Sequence, residues 1–433
     1  YEWCSTQTRF SIYGRIKAMK VVLLSNDDLK WGAGRAAYRL HQGLRKLEVD
    51  SHLLVQTKLS EDETVIAPTT AIAKTLAKVR PTLNSLPLKF YPQFDQGVYS
   101  CQWIPDRLVH QVKQFSPHII NLHDITLGYI QIETLAKFKQ PLVWTLHDMW
   151  AFTGGCHYSN GCDRYQVSCG NCPQLNSHKE RDLSRWIWQR KAKAWKELNL
   201  TIVTLSRWMT DCVKKSSLLQ DFPVEMIANG LDLERFKPID KALAKKILGL
   251  PQDKQIILFG AMNATSDRRK GFQALYPALK MLNQEQWQAR IQLVIFGSSQ
   301  PQNPPDFGFP TQYLGKLNDD IALSLVYSAA DVFVAPSQED NLPNTVLESL
   351  ACGTPCVAFN IGGMPDLIEH QTNGYLAQPC EIKDLAHGIQ WILDNTEQVH
   401  QLRDRARKKV ETEFNQTIQT QRYLSLFNNI INP

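Results

Sequence analysis

Short β-branched apolar runs recur along this chain, each followed by a polar turn and then a stretch with helical periodicity. The first is Val21-Val22-Leu23-Leu24; it leads through Asn26-Asp27-Asp28-Leu29-Lys30-Trp31-Gly32-Ala33-Gly34 into a helical pattern over 35–46, and 51–56 is the next run. Apolar runs this short, bounded by turn residues, read as buried strands. Strands that alternate with helix-length segments point to a parallel sheet covered by crossover helices, because parallel neighbours cannot be joined by a tight hairpin. The alternation continues with strands expected at 118–122, 142–146 and 201–205. It restarts with strands at 256–259, 292–296, 332–334 and 356–359 and helices over 321–330 and 344–351. Turn residues interrupt it at Ile227-Ala228-Asn229-Gly230-Leu231-Asp232. The fold class is therefore α/β, with two parallel domains. Between 59 and 117 the pattern is too weak to order.

At 433 residues the chain is long enough for two such domains, each with a core that needs no staples. An apolar share of 43% with 21% charged residues excludes disordered and fibrous classes. No stretch approaches the roughly 18–20 consecutive apolar residues of a membrane-spanning helix. The net charge of +6 suits an anionic substrate or an anionic membrane surface and is too small to point to nucleic acid. No charged segment followed by an apolar one opens the sequence, so a cytoplasmic location is expected. Residues 1–18 contain no Met and little pattern, whereas Met19-Lys20 runs straight into the first strand; 1–18 are read as an upstream extension.

In open α/β sheets, ligands bind beyond the carboxyl ends of the strands. That rule singles out two His-Asp pairs that close predicted strands, His123-Asp124 and His147-Asp148. The second half carries five further motifs. They are Asn229-Gly230-Leu231-Asp232 with Phe236 and Pro238; Arg268-Arg269-Lys270-Gly271; Asp340-Asn341-Leu342-Pro343-Asn344-Thr345-Val346-Leu347-Glu348; Ala351-Cys352-Gly353-Thr354-Pro355; and Gly362-Gly363-Met364-Pro365-Asp366 with Asn373-Gly374. Their order and spacing resemble glycosyltransferase family 4, the retaining nucleotide-sugar transferases of GT-B fold, over residues 20 to about 427. Trp144-Thr145-Leu146-His147-Asp148-Met149-Trp150 and a downstream cysteine cluster resemble the bacterial branch that builds exopolysaccharides such as colanic acid.

The resemblance implies two Rossmann-like domains facing across a cleft: 19–228 on the acceptor side, 229–410 on the nucleotide-sugar side, and a helical tail, 411–433, returning to the first. It implies transfer of a sugar from a nucleotide-diphosphate sugar to a saccharide acceptor, lipid-linked and used for cell-surface polysaccharide. An epimerase or hydrolase on the same fold, or a sugar-binding protein without chemistry, are the alternatives. No cofactor is expected for catalysis.

Site roles follow position by position. Lys270, with Arg268 or Arg269, matches the family's phosphate-binding pair, where fixed cations stabilise a leaving diphosphate. The family often has Arg after the strand-ending glycine, but here Gly260 is followed by Ala261. Asp340, or Glu339 with a one-residue bulge, fills the first slot of a two-acid motif beside the donor sugar. The backbone N–H groups of Asn341 and Leu342 approach the phosphate and sugar. Glu348 fills the second slot, where a carboxylate can accept both ribose hydroxyls. His147 matches a residue near the reaction centre, and His123 is a weaker candidate. Gly32 and Gly34 resemble the family's glycine loop over the phosphates and acceptor. No carboxylate nucleophile stands out, and the family route has the departing phosphate take the acceptor's proton.

Two features stand apart. Cys156, Cys162, Cys169 and Cys172 have the spacing C-x5-C-x6-C-x2-C, which suits a structural zinc, with His157 able to replace one ligand; free or redox cysteines and an iron–sulfur cluster stay open. Over 179–196, Trp186, Trp188 and Trp195 interleave with seven Lys or Arg. That composition fits either docking on an anionic membrane at the inner face of the plasma membrane or an amphipathic helix packed on its own domain.

Overall fold

The computed structural model describes residues 19–94, 97–260, 267–282, 285–317, 319–395 and 398–432; the 1–18 extension and Ala261 lie outside them. The chain divides into two units. The first runs to Ala228 and takes the chain up again from Gln419, and the second is Asn229–Ile418.

The first unit is built on β1 (Lys20–Asp27), β2 (Asp50–Thr57), β3 (Val65–Ile66), β4 (Ile119–Leu122), β5 (Leu142–Leu146), β6 (Leu200–Thr204) and β7 (Val224–Met226). Their spatial order is β3-β2-β1-β4-β5-β6-β7 and every pairing is parallel. Successive side chains of a strand point to opposite faces. Val22 and Leu24 join Ile120 and Trp144 in one core, while Val21 and Leu23 join Val143 and Val203 in another. Burial on both faces is why these strands read as unbroken apolar runs. The helix Gly32–Lys46 covers the second face with Ala37, Leu40 and Leu44, and the last helix, Gln416–Ile431, adds Tyr423 and Phe427. The Tyr423 hydroxyl lies 2.8 Å from Thr145 Oγ1. Each fully buried Leu or Phe contributes about 1.5–3 kcal/mol.

The weak stretch between 59 and 117 contains β3, the helix Ala71–Asn84 and the short helix Leu108–Lys113. Thr70 caps Ala71–Asn84 by accepting the Ala73 N–H at 3.3 Å. That helix buries Ala77, Arg80 and Asn84 and leaves Ile72, Leu76 and Val79 exposed. Arg80 donates to the carbonyls of Gly128 at 2.6 Å and Pro105 at 3.0 Å. The apolar and buried positions do not coincide, so no amphipathic pattern facing a core could be read.

The second unit holds β8 (Gln255–Gly260), β9 (Ile291–Phe296), β10 (Thr311–Tyr313), β11 (Val332–Ala335), β12 (Cys356–Phe359) and β13 (Gly374–Ala377). They lie in the order β10-β9-β8-β11-β12-β13, again all parallel. The strand order reverses between β1 and β4 in the first sheet and between β8 and β11 in the second, and such switch points are where open α/β sheets bind ligands. Among the described residues no helix is long and apolar enough to cross a membrane.

Candidate active site

In the second unit the site grows from the switch point. After β8, Arg268–Lys270 form one tight turn capped by Asp267, which accepts the Arg269 N–H at 3.0 Å. Gly271 follows in the left-handed region at φ 75°, and a Cβ there would meet the Pro336 carbonyl oxygen at 1.7 Å. Only glycine satisfies both demands, so this turn can sit directly against the segment after β11. The helix Phe272–Leu282 then begins.

That approach brings Lys270 Nζ within 2.7 Å of Asp340 Oδ2. Arg269 reaches the same oxygen at 3.1 Å and donates to the Glu339 carbonyl at 2.9 Å, and Ser337 Oγ donates to Asp340 at 3.3 Å. Asp340 is buried. Burial raises its pKa, but the Lys270 ammonium and Arg269 guanidinium outweigh this and hold it at about 2. Burial and then Arg269 push the Lys270 ammonium below its ordinary value, against the pull of Asp340. Two cations thus share one carboxylate. Arg269 is the arginine brought to the Asp340 carboxylate, while Arg268 is exposed; Glu339 meets Arg269 through its backbone carbonyl.

Asn341 and Leu342 are buried just before the helix Asn344–Ala351. Glu348 lies within it and is buried too, with the Tyr327 hydroxyl donating to Oε2 at 3.2 Å. It is no solvent-facing helix acid. Tyr327 comes from the helix Asp320–Ala329 and was not visible as a site residue in the sequence.

In the first unit the two His-Asp pairs stand at the ends of β4 and β5. His123 Nδ1 and His147 Nε2 are 2.9 Å apart, and His123 Nε2 is 3.0 Å from Asn121 Oδ1. The Asn121 amide nitrogen donates to the Val143 carbonyl, so its oxygen faces His123 as acceptor. This network assigns the protons: His123 donates from Nε2, accepts at Nδ1, and His147 donates from Nε2. The lone pair of His147 is then on Nδ1. Burial lowers both imidazoles, His147 to about 4.

Asp148 accepts the Trp150 N–H at 2.9 Å and lies 2.7 Å from His157 Nδ1; His157 Nε2 lies 2.9 Å from Ser100 Oγ. Both ring nitrogens of His157 are engaged, which removes it as a substitute ligand in the cysteine cluster. Asp124 holds Thr126 through its N–H and hydroxyl. Gly32 and Gly34 open the helix Gly32–Lys46 rather than forming a separate loop, and a Cβ at Gly34 would meet Asp27 Oδ1 at 2.2 Å.

Asp27 belongs to none of the motifs that mark the other site residues in the sequence. It ends β1, accepts the N–H groups of Lys30 at 2.6 Å and Trp31 at 3.1 Å, and leaves buried Oδ2 without a partner among the described residues. Burial, against those two N–H bonds and with Asp124 nearby, raises it to about 7. The strand-end rule that singled out His123 applies equally to Asp27.

Residues 183–195 of the 179–196 stretch form the helix Leu183–Trp195, which packs one face on its own unit. Ile187, Lys191 and Trp195 are buried, while Trp186 is exposed with the Arg190 guanidinium 4.5 Å from its ring. Arg190 in turn pairs with Glu133 at 2.7 Å. The four cysteines are free thiols around one small cavity. Among the described residues, no group of three or more His, Cys, Asp or Glu side chains is placed to hold a metal ion.

Two family models match this chain, glycosyltransferase family 4 over residues 32–235 and glycosyl transferases group 1 over 240–409. The putative colanic acid biosynthesis glycosyl transferase WcaC of Escherichia coli K12 is 24% identical over 271 residues, 58% of this chain and 62% of its own. The Escherichia coli UDP-Gal:alpha-D-GlcNAc-diphosphoundecaprenol alpha-1,3-galactosyltransferase is 27% identical over 194 residues, 45% and 51% of the two chains. The chain thus spans between about half and three-fifths of these relatives. Among solved structures, Anabaena HepE in complex with UDP-glucose superposes with a TM-score of 0.63 at 15% identity, covering 95% of this chain and 100% of that one.

Proposed function

The chain belongs to the family 4 glycosyltransferases, and from that premise we propose that it moves a sugar, with retention, from a nucleotide-diphosphate sugar to a saccharide acceptor. The observation that carries this reading is the cluster of Lys270, Arg269 and Asp340, with buried Glu348 eight positions beyond Asp340. Breaking the sugar–phosphate bond puts negative charge on the leaving diphosphate. Two cations against one carboxylate leave a net positive charge already oriented, so little reorganisation is needed as the bond breaks. Asp340 fixes both cations and accepts a hydrogen bond from the donor sugar. Glu348 accepts the ribose hydroxyls, and the N–H groups of Asn341 and Leu342 face phosphate and sugar. His147 works as a neutral acceptor at Nδ1 for a sugar hydroxyl, because its Nε2 proton is committed to His123. The departing phosphate takes the acceptor's proton, and catalysis is positioning and charge stabilisation.

The acceptor is a lipid-linked saccharide, the class named for the galactosyltransferase relative. Its surface contact lies on the helix Ala71–Asn84. Ile72 (83% exposed), Leu76 and Val79 form one stripe, and Phe90 (85% exposed) lies close in sequence. Lys74, Lys78 and Lys89 accompany them, and residues 65–94 hold no Asp or Glu. An apolar stripe among lysines without acids matches an anionic membrane surface, to which each basic residue contributes about 1 kcal/mol.

A panel of nucleotide sugars, incubated with and without lipid-linked saccharide, tests the activity by nucleotide release and the anomeric configuration of the product. Release only with acceptor, with retained configuration, is expected. Release without acceptor would make the protein a hydrolase, and binding without release would make it a sugar-binding protein. Sedimentation with anionic vesicles should fall when Ile72 and Leu76 are both changed to Asn.

A further inference from the structure

Cys156, Cys162, Cys169 and Cys172 all line one cavity of about 20 Å³. A cavity of roughly 10–15 Å³ admits a single water-sized occupant, so this space has room for one small ion. The chain around it is pinned. Cys169, Gly170 and Asn171 are three successive residues in the left-handed region, at φ 53°, 93° and 45°. Two of them carry side chains, and that conformation is costly for them. The turn is held at its edges: Gly170 donates to Ser184 Oγ at 2.8 Å, Cys172 to Asp182 Oδ2 at 2.8 Å, and Arg185 to the Cys169 carbonyl at 3.1 Å.

Lys191 supplies the second observation. It is fully buried, with Nζ 3.5 Å from the centroid of the Trp150 ring. It donates to the carbonyls of Trp150 and, at 3.0 Å, of Thr153. Among the described residues no carboxylate lies within ion-pair distance of it. A buried ammonium without a counter-charge is costly. Its acceptor Thr153 lines the same cavity as the four cysteines. Four thiolates around a divalent cation carry a net charge of −2, which would supply a counter-charge.

We propose that Cys156, Cys162, Cys169 and Cys172 bind one zinc ion as a closed structural site, with Lys191 as its built-in counter-ion. The four sulfurs converge on the cavity by side-chain rotation, the neighbouring backbone being already pinned. Four soft protein ligands leave no open position, so the ion orders the loop and takes no part in transfer. The loop includes His157, whose imidazole braces Asp148 next to His147, and this links the metal to the geometry of the sugar site.

The test uses the full chain purified under reducing conditions. Elemental analysis should find about one zinc per chain, and removing it should expose four additional thiols to a thiol reagent. Replacement by cobalt should give thiolate-to-cobalt charge-transfer absorbance. Cys162→Ser, chosen because Cys162 is only partly buried, should keep its far-ultraviolet dichroism and lose zinc affinity by at least 100-fold. Lys191→Met should weaken zinc by about 10-fold while keeping the cobalt spectrum. Metal-free protein whose four thiols react freely, disulfides among these cysteines in mass spectra, or iron with visible absorbance would each overturn the proposal. Unchanged zinc affinity in Lys191→Met would overturn the role given to the lysine.

Discussion

Both units end their strands in buried ionisable groups, yet burial wins at Asp27, His123 and His147 of the first and charge pairing at Asp340 of the second. At the end of β1, Asp27 has backbone N–H partners and no cation, and it rises to about 7. Next to it in sheet order, the imidazoles of His123 and His147 are pushed down and stay neutral. In the second unit Asp340 is equally buried, but Lys270 and Arg269 hold it at about 2. At Asp27, His123 and His147 the first unit therefore favours neutral hydrogen-bonding groups, suited to sugar hydroxyls, beside an Asp148 that, against burial, His157 holds low, and the second presents a fixed charge, suited to a diphosphate. The difference lies in whether a cation reaches the strand end, since desolvation alone always favours the neutral form.

The largest effect should come from breaking the charged side. Lys270→Ala should lower turnover by on the order of 100-fold, about 3 kcal/mol, whereas Arg268→Ala should stay within about 3-fold. Steady-state kinetics on both variants would test the preference for Arg269 over Arg268 as well; equal losses would refute it. Glu348→Gln removes a charged acceptor while keeping its shape, so nucleotide-sugar affinity should drop about 10-fold or more, for a bond worth roughly 1.5–3 kcal/mol. Calorimetric titration of the nucleotide sugar decides this, and unchanged affinity would reduce Glu348 to a partner of Tyr327.

Stability against pH sharpens the comparison, because the two acids contribute with opposite sign. Asp27 binds its proton more tightly in the folded state. Its contribution therefore falls as pH rises from about 4 to about 7, by at most ~1.4 kcal/mol per pH unit. Asp340 binds its proton less tightly, so its contribution is complete above about 4 and is lost as pH falls towards 2. Denaturant titrations between pH 3 and 8 should show Asp27→Asn gaining on the parent protein above pH 5, and Asp340→Asn flattening the acid limb. An Asp27→Asn variant that tracks the parent at every pH would show that Asp27 is already ionised in the fold.

The smallest effect belongs to His147. With its imidazole at about 4, it stays neutral from pH 5.5 to 8 and should add no limb near 6.5 to the rate profile. Gln also offers an acceptor, so His147→Gln should lose only about 3-fold in turnover and keep the shape of the parent profile. A basic or acidic limb that vanishes in this variant would make His147 a proton carrier instead.

The sequence alone determined the alternation of strands and helices in both units, because parallel strands buried on both faces must be continuous apolar runs such as Val21–Leu24 and Cys356–Phe359. It also put Lys270, Asp340, Glu348 and His147 on strand-end loops and early helix turns, since those positions follow from local pattern. Only the tertiary structure decided which side chains meet. Arg269 rather than Arg268 reaches Asp340 because Gly271 lets its turn lie against Pro336, a contact between segments some seventy residues apart. Asp27 becomes an unusual acid through burial, which no local pattern reports. Ile72, Leu76 and Val79 on Ala71–Asn84 are exposed, whereas Ile187, Lys191 and Trp195 on Leu183–Trp195 are buried. Interleaved Trp and Lys describe a side chain's chemistry, whereas whether it meets water or a core depends on what the rest of the chain folds against it.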